Sequence, residues 1–462
     1  MRASVTLTRC RVYDKHALRQ LCQQILQRCG AVPAEVVLLA DDSALTRFAN
    51  NAIHQNVAER NLTVYLRVLP GLRSGTASTN RTDSAALDEL AEQALTNAKA
   101  SPEDPSQPGL AEPAAYTAVE CFDEGTATLT PQARAEAVGE VCQAAREKEL
   151  NASGAFSSGA HAVAVANSQG LFAYHAYTEA DFQTVVMGAD SSGRAQASSW
   201  KAAELPAASL GQEAIWKAER GRNPREIEPG EYTVVVDPYV TEDLLHMLNF
   251  YGMSGLAYQD GRSWMNDRLG QQAMSPLVSI WDDGLDCSGL PMPFDFEGVP
   301  KQRVEIVSQG VVKGPVYDRA TAHKAGLHST GHALPPNLGA MGRSLGPIAL
   351  NLFMAPGTSS VEEMIRSTER GLYITRFWYT RLVHPRECVV TGMTRDGVYL
   401  IEKGELAYPV KNLRFTQAYV QALAEVETVG RERRLQKSEF GSQAICTPAL
   451  KISRFNFTGT TV

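Results

Sequence analysis

Three imidazoles fall within ten residues in the segment His323-Lys324-Ala325-Gly326-Leu327-His328-Ser329-Thr330-Gly331-His332. Imidazole is a common ligand for zinc and equally a polar contact for a substrate or a partner. Two glycines and the Ser329-Thr330 pair make the segment a loop, however, so spacing says nothing about side-chain direction. No carboxylate accompanies it in the sequence. A structural loop is the default reading, ahead of polar contacts and then a metal site. His246 sits among Leu244, Leu245 and Leu248, a setting typical of a satisfied core or interface histidine. Arg376, Trp378, Tyr379 and Arg381 interleave cations with aromatic rings. Such a run can grip an extended peptide or a nucleic acid, but a strand with one buried aromatic face and one solvated basic face accounts for it better. Asp282-Asp283-Gly284 and Asp286 lack the spacing of a calcium loop and read as a turn. No G-x-S-x-G or phosphate-binding loop is present. The eight cysteines are scattered without a C-x-x-C pair, as expected of reduced, mostly buried thiols.

The elements that must carry these residues are mixed. Residues 14–30 predict an amphipathic helix with Leu18, Leu21, Ile25 and Leu26 on one face and Gly30 at its end. Val36–Leu39 and Leu62–Val68 predict strands. A helix capped by Asp83 or Ser84 follows, with Leu87, Leu90, Ala91, Ala94, Leu95 and Ala98 inward, and then a Pro-rich loop over 101–114. Thr130-Pro131 opens a third helix, with Thr as N-cap and Pro at the first position. Residues 155–200 predict an antiparallel meander, and 208–220 another helix. Asn223-Pro224 and Glu228-Pro229-Gly230 then mark a boundary between an N-terminal α+β domain (1–225) and a β-rich C-terminal domain (226–462). Beyond it come a strand at Tyr232–Val236, a helix over 241–251 and β segments broken by Gly/Pro turns, with a further helix near 359–370. The fold class is α+β, two-domain and rich in antiparallel sheet.

Bulk properties narrow the function. A formal net charge of −7 argues against general nucleic-acid binding. No stretch approaches the roughly 18 apolar residues of a membrane span, and no signal-like block opens the chain. A cytoplasmic protein is expected.

Four segments together resemble the TldD/PmbA family, whose members are metallopeptidase subunits or their metal-free relatives. They are Leu45–Asn56 with Arg73–Asn80; the strand and turn Ala162–Gly170; Ala325–His332; and a stretch from Pro356-Gly357 through Gly371-Leu372-Tyr373 to Leu400–Glu405 and Tyr408-Pro409-Val410. Catalytic members carry His-Glu-x-x-x-His on a helix near the start of the C-terminal domain. The two imidazoles there reach one zinc, and the Glu activates its water. The corresponding stretch here is His246-Met247-Leu248-Asn249-Phe250-Tyr251. Met247 cannot take a proton from water, Tyr251 is a poor ligand at neutral pH, and residues 436–444 lack the family's further cysteine.

The resemblance therefore implies a PmbA/TldE-like subunit with no catalytic residue and no metal of its own, zinc being expected in a TldD-type partner. Peptide would be the substrate of the pair, and the β-rich C-terminal half leads us to expect that it is held by strand addition at a sheet edge. The resemblance makes 323–332 a cleft-lining loop. Candidate cleft or partner contacts are His246, Tyr251, His328, Thr330, His332, Arg376 and Tyr379. The apolar helix 241–251 and the run Phe377–Tyr379 are expected to offer surface for dimerisation. The alternative is a non-enzymatic homodimeric peptide-binding or regulatory protein.

Overall fold

The computed structural model of the chain describes residues 14–438 and 443–460. Capping residues start its helices where the sequence places them. The Asp14 carboxylate accepts from the backbone N–H of Ala17 at 2.9 Å and opens helix Lys15–Arg28, whose buried stripe is Leu18, Cys22 and Ile25. Asp83 opens Ser84–Ala100 in the same way, and Thr130 opens Pro131–Glu147 with proline at the first turn. Each cap satisfies one of the N–H groups that a helix N-terminus leaves unpaired.

Six strands form the first sheet, antiparallel throughout. Ala34–Ala49 and Asn151–Asn167 are at its centre, flanked by Ala52–Val68 with Gly75–Thr79 on one side and by Phe172–Met187 with Ser192–Ser199 on the other. Helices cover one face. Lys15–Arg28 and Ser84–Ala100 bury Leu18, Ile25, Leu87 and Leu90 on one half, and Pro131–Glu147 with Ala207–Arg220 bury Val138, Val141, Leu210 and Ile215 on the other. The opposite face is apolar at one end, where Val37, Val163, Val165, Leu171 and Ala173 pack around Phe294 from the C-terminal half. Further along it becomes polar, with Asp41, His161 and Glu179.

The second sheet has thirteen strands, and the strand Ala444–Thr460 is its hub. This strand pairs antiparallel with Gly230–Val236, Leu413–Ala418 and Val426–Lys437, and parallel with Asn351–Met354. Helix Pro238–Gly252 lies against this sheet, and its residues Val240, Leu244, Leu245, Met247 and Leu248 are buried in the main core. Each large apolar side chain withdrawn from water contributes ~1.5–3 kcal/mol. The expectation that this helix offers apolar surface for a partner is thus corrected, because its apolar residues face the chain's own sheet. Phe377 is buried as well, and Tyr379 is the exposed member of its run. Among the described residues no helix is long and apolar enough to cross a membrane.

Polar contacts tie the two sheets together. Lys217, on the Ala207–Arg220 helix, lies 2.9 Å from Asp237 and 2.7 Å from Glu213. Burial pulls its ammonium down, but Asp237 and Glu213 more than offset this and hold it above its ordinary value. Arg434 meets Glu213 at 2.7 Å, and the Tyr399 hydroxyl donates to the Lys217 carbonyl at 2.7 Å.

Candidate functional site

His246 lies on the inner side of helix Pro238–Gly252, 8% exposed. Its Nδ1 is 3.0 Å from Ser438 Oγ and 3.1 Å from Gln443 Oε1, so either tautomer leaves Nδ1 engaged. Burial holds the imidazole below its ordinary value, and the ring is neutral at pH 7. Ser438 directly follows the strand Val426–Lys437, and Gln443 directly precedes the strand Ala444–Thr460. The preceding residue, Lys437, reaches the first sheet, where its Nζ is 2.6 Å from Glu179 Oε1 and its carbonyl accepts from Gln196 Nε2 at 3.3 Å. Asp181, beside Glu179 on the same sheet face, accepts from Ser198 Oγ at 2.6 Å and Gln196 Nε2 at 3.1 Å. Burial raises the Asp181 carboxyl. The end of strand Val426–Lys437 thus bridges His246 of the C-terminal half and an acidic patch of the N-terminal half.

On the neighbouring strand and the same face, His161 Nδ1 is 2.8 Å from Asp41 Oδ1, and its ring stacks on Tyr177 at 5.0 Å. Asp41 and His161 are direct cross-strand partners 120 residues apart. Sequence reasoning missed this pair and the Lys437–Glu179 pair. The one available signal was a polar residue at alternate positions of otherwise apolar strands. These groups are committed to one another, through the His161–Asp41 hydrogen bond and the Lys437–Glu179 ion pair.

The residues expected to line the 323–332 loop divide. His323 belongs to helix Arg319–Ala325, which ends at Gly326 in the left-handed conformation, φ 67°. His323 and His328 are exposed and edge a cavity of about 350 Å³ with Glu112 and Arg319. Thr330 is half-buried, its hydroxyl oxygen 2.7 Å from the Tyr317 backbone N–H. His332 lies in the interior, 1% exposed. The absence of an accompanying carboxylate is corrected, because His332 Nε2 is 3.0 Å from Asp282 Oδ1, with Lys301 Nζ on the same oxygen at 3.1 Å. Asp282 was read as part of a turn; it is in strand Ile280–Asp282 and has no solvent exposure. Burial and Lys301 hold His332 below its ordinary value. The Asp282 carboxylate can only accept, so it takes the hydrogen of Nε2, and Nδ1 faces the Thr330 hydroxyl at 2.9 Å.

Arg376 is 8% exposed, with Nη1 2.7 Å from Asp396 and its guanidinium 4.5 Å from the Trp378 ring. The strand expected around it exists as Phe377–His384, but its pairing shifts between Trp378 and Arg381 and breaks the alternation. Tyr379 sits at that irregularity with φ 55° and 60% exposure, and Arg381 lies 4.2 Å from its ring. Tyr251 is half-buried against the main core, edge-on to Phe250. The seven candidates therefore do not form one cluster.

Three family models cover the chain in order. They are the PmbA/TldA metallopeptidase domain 1 over residues 34–98, the central domain over 126–222 and the C-terminal domain over 229–459. The chain belongs to the PmbA/TldD family. A metalloprotease TldD homolog from Haemophilus influenzae is 25% identical over 229 residues, which is 47% of this chain and 46% of that protein. Metalloprotease PmbA of Escherichia coli O157:H7 is 26% identical over 234 residues, 50% and 48% of the two chains. The chain thus matches about half the length of these curated relatives. The structure of TldE from Thermococcus kodakarensis superposes with a TM-score of 0.87 at 20% identity, covering 96% of this chain and all of that one, a likeness of fold.

Zinc is the metal that the family's catalytic pattern implies, and the residues in its place do not fit it. His246 Nδ1 is engaged by Ser438 and Gln443, Met247 is packed in the core, and Tyr251 offers a phenol. Among the described residues, no group of three or more His, Cys, Asp or Glu side chains is placed to hold an ion.

Proposed function

We propose that this chain is a metal-free subunit of a PmbA/TldD-type zinc metallopeptidase. In this reading it forms part of the cleft that holds unfolded or precursor peptides, while a zinc-bearing partner cuts them. What carries the reading is the helix Pro238–Gly252. The sequence resemblance implies that the family's His-Glu-x-x-x-His corresponds to that helix, where this chain has His246, Met247 and Tyr251, with Met247 committed to packing. The polar sheet face with Asp41, His161, Glu179 and Asp181, joined to His246 through Lys437 and Ser438, supports a peptide-holding role. The compartment of action is the cytoplasm.

Co-expression with a zinc-motif relative, followed by light scattering and metal analysis, tests the reading. A 1:1 pair whose zinc follows the partner supports it. A chain that stays a homodimer beside that relative favours the alternative, a peptide-binding or regulatory module without enzymatic action.

A further inference from the structure

The hairpin arms around Leu45–Asn56 border a cavity of about 410 Å³ at one end of the first sheet, within the size range of small-ligand sites. Arg47 faces Ala155 and Ala155 faces Gln183 across the strand pairings. Residues that face each other across a sheet share a face. Ala155 is the small member of this row and leaves the space between the two longer side chains. Ser153 and Val185 face each other in the next row of the same two strands, and His54 comes from the second arm of the hairpin. Arg47 and His54 are exposed, and Ser153, Gln183 and Val185 are half-buried, so the cavity is open to solvent.

The lining offers hydrogen-bond donors and no acid. No Asp or Glu side chain borders the cavity. Among the described residues no carboxylate lies within 4 Å of Arg47, and its one side-chain hydrogen bond, Nη1 to Gln55 Oε1, is stretched to 3.5 Å. The side chains of His54, Ser153 and Gln183 have no hydrogen-bond partner among the described residues. Neighbouring arginines are spent: Arg60 meets Asp42 at 2.6 Å, and Arg134 donates to Thr46 and Ser158 at 3.2 Å each. A guanidinium without a counter-charge takes a carboxylate bidentately, and hydroxyl and amide groups add donors. Ala155 and Val185 supply an apolar wall beside them. Donors around one charge, next to an apolar wall, fit an amino-acid residue bearing a carboxylate better than a bare anion. The cavity also continues the polar sheet face: Asp181 precedes Gln183 by two residues on the same strand and face, ~7 Å away.

We propose that this cavity binds the C-terminal residue of a peptide, its terminal carboxylate on the Arg47 guanidinium, with His54, Ser153 and Gln183 adding hydrogen bonds and the terminal side chain lying on Ala155 and Val185. The proposal rests on the peptide-holding reading above and names the part of the peptide that is recognised. The test uses the chain alone, independently of zinc, partner or catalysis. Fluorescence anisotropy reads the binding of N-terminally labelled decapeptides of Ala, Ser and Leu, one ending in a free carboxylate and one in an amide. The free acid binds, and the amide binds at least tenfold more weakly. Arg47→Gln loses at least tenfold for the free acid and leaves the amide unchanged, Arg47→Lys recovers part of the loss, and Arg60→Gln on the same hairpin binds like the parent. Equal binding of acid and amide overturns the proposal while leaving the peptide-holding reading in place; failure of both to bind overturns the two together. An Arg47→Gln variant that binds like the parent overturns it, as does an equal loss in Arg60→Gln, which would mark general electrostatic attraction. An amidated peptide with one internal Glu that binds as tightly as the free acid also overturns it. So does displacement by inorganic phosphate or N-acetyl-leucine at the concentration at which unlabelled peptide competes, which would mark a small-anion site.

Discussion

Replacing Asp282 with Asn should be among the most damaging single-atom changes in the C-terminal half. Asp282 has no solvent exposure. One carboxylate oxygen receives Lys301 Nζ at 3.1 Å and His332 Nε2 at 3.0 Å, and the other receives the Asn351 backbone N–H at 2.7 Å. Burial pushes this carboxyl up, but Lys301 and the hydrogen bonds pull it below the ordinary range to about 2. A depression of that size is worth roughly 2–3 kcal/mol. Because the folded value is the lower one, this stability is present above the unfolded value and is lost as pH falls through about 2. An Asn side chain offers one oxygen, so its NH2 must face either the Lys301 and His332 donors or the Asn351 N–H. Lys301, 5% exposed, then keeps its charge without a counter-charge. Breaking a buried pair from one side costs ~3–5 kcal/mol. Urea unfolding at pH 7 should show a loss of that order, and the double variant Asp282→Asn/Lys301→Met should recover at least half of it. A loss below ~1 kcal/mol, or a double variant no more stable than the single one, would refute the reasoning.

Other outcomes follow from the same contacts. His332→Ala should cost ~2–4 kcal/mol of stability through the cavity and the exposed ion pair it leaves, measured by thermal melting, rather than act on a surface loop. The purified chain should retain no stoichiometric zinc after dialysis, and about one tightly held zinc per chain in metal analysis would contradict the site described. Met247→Glu with Tyr251→His should give an unstable protein instead of a peptidase, because the new carboxylate would enter the main core unpaired; chelator-sensitive peptide cleavage by this variant would show the opposite. Burial, with Glu297 beside it, raises the Asp295 carboxyl to about 7. Its folded value is the higher one, so its contribution is fully present below the unfolded value and is lost as pH rises through about 7. Denaturation midpoints from pH 4 to 8 should reveal that decline, and Asp295→Asn should flatten it.

Local signals were legible and long-range ones were not. Asp14, Asp83 and Thr130-Pro131 announce helices because a cap is a contact within one turn. The strands Ala34–Ala49 and Ala52–Val68 are far longer than the apolar runs 36–39 and 62–68 that betray them. Their outer arms form a hairpin whose residues 52–61 are mostly exposed, so no hydrophobic alternation marks them. The apolar pattern of helix 241–251 is the same whether it meets a partner or its own sheet, and only packing decides. His332 and Asp282 are separated by 50 residues, and Asp41 and His161 by 120, so their pairing is a property of register. At Phe377–His384 the composition announced a strand, while the shift in pairing at Tyr379 left no trace in the composition.

We propose that this chain acts in hydrolysis only beside a zinc-bearing relative. The most direct measurement is peptidase activity on an unfolded peptide for each purified chain and for their mixture. The expected results are no cleavage by this chain, cleavage on mixing, and loss of it when the partner's zinc ligands are replaced. A partner that cleaves equally well without this chain, or a mixture that remains inactive while the two chains pair stably, would contradict it.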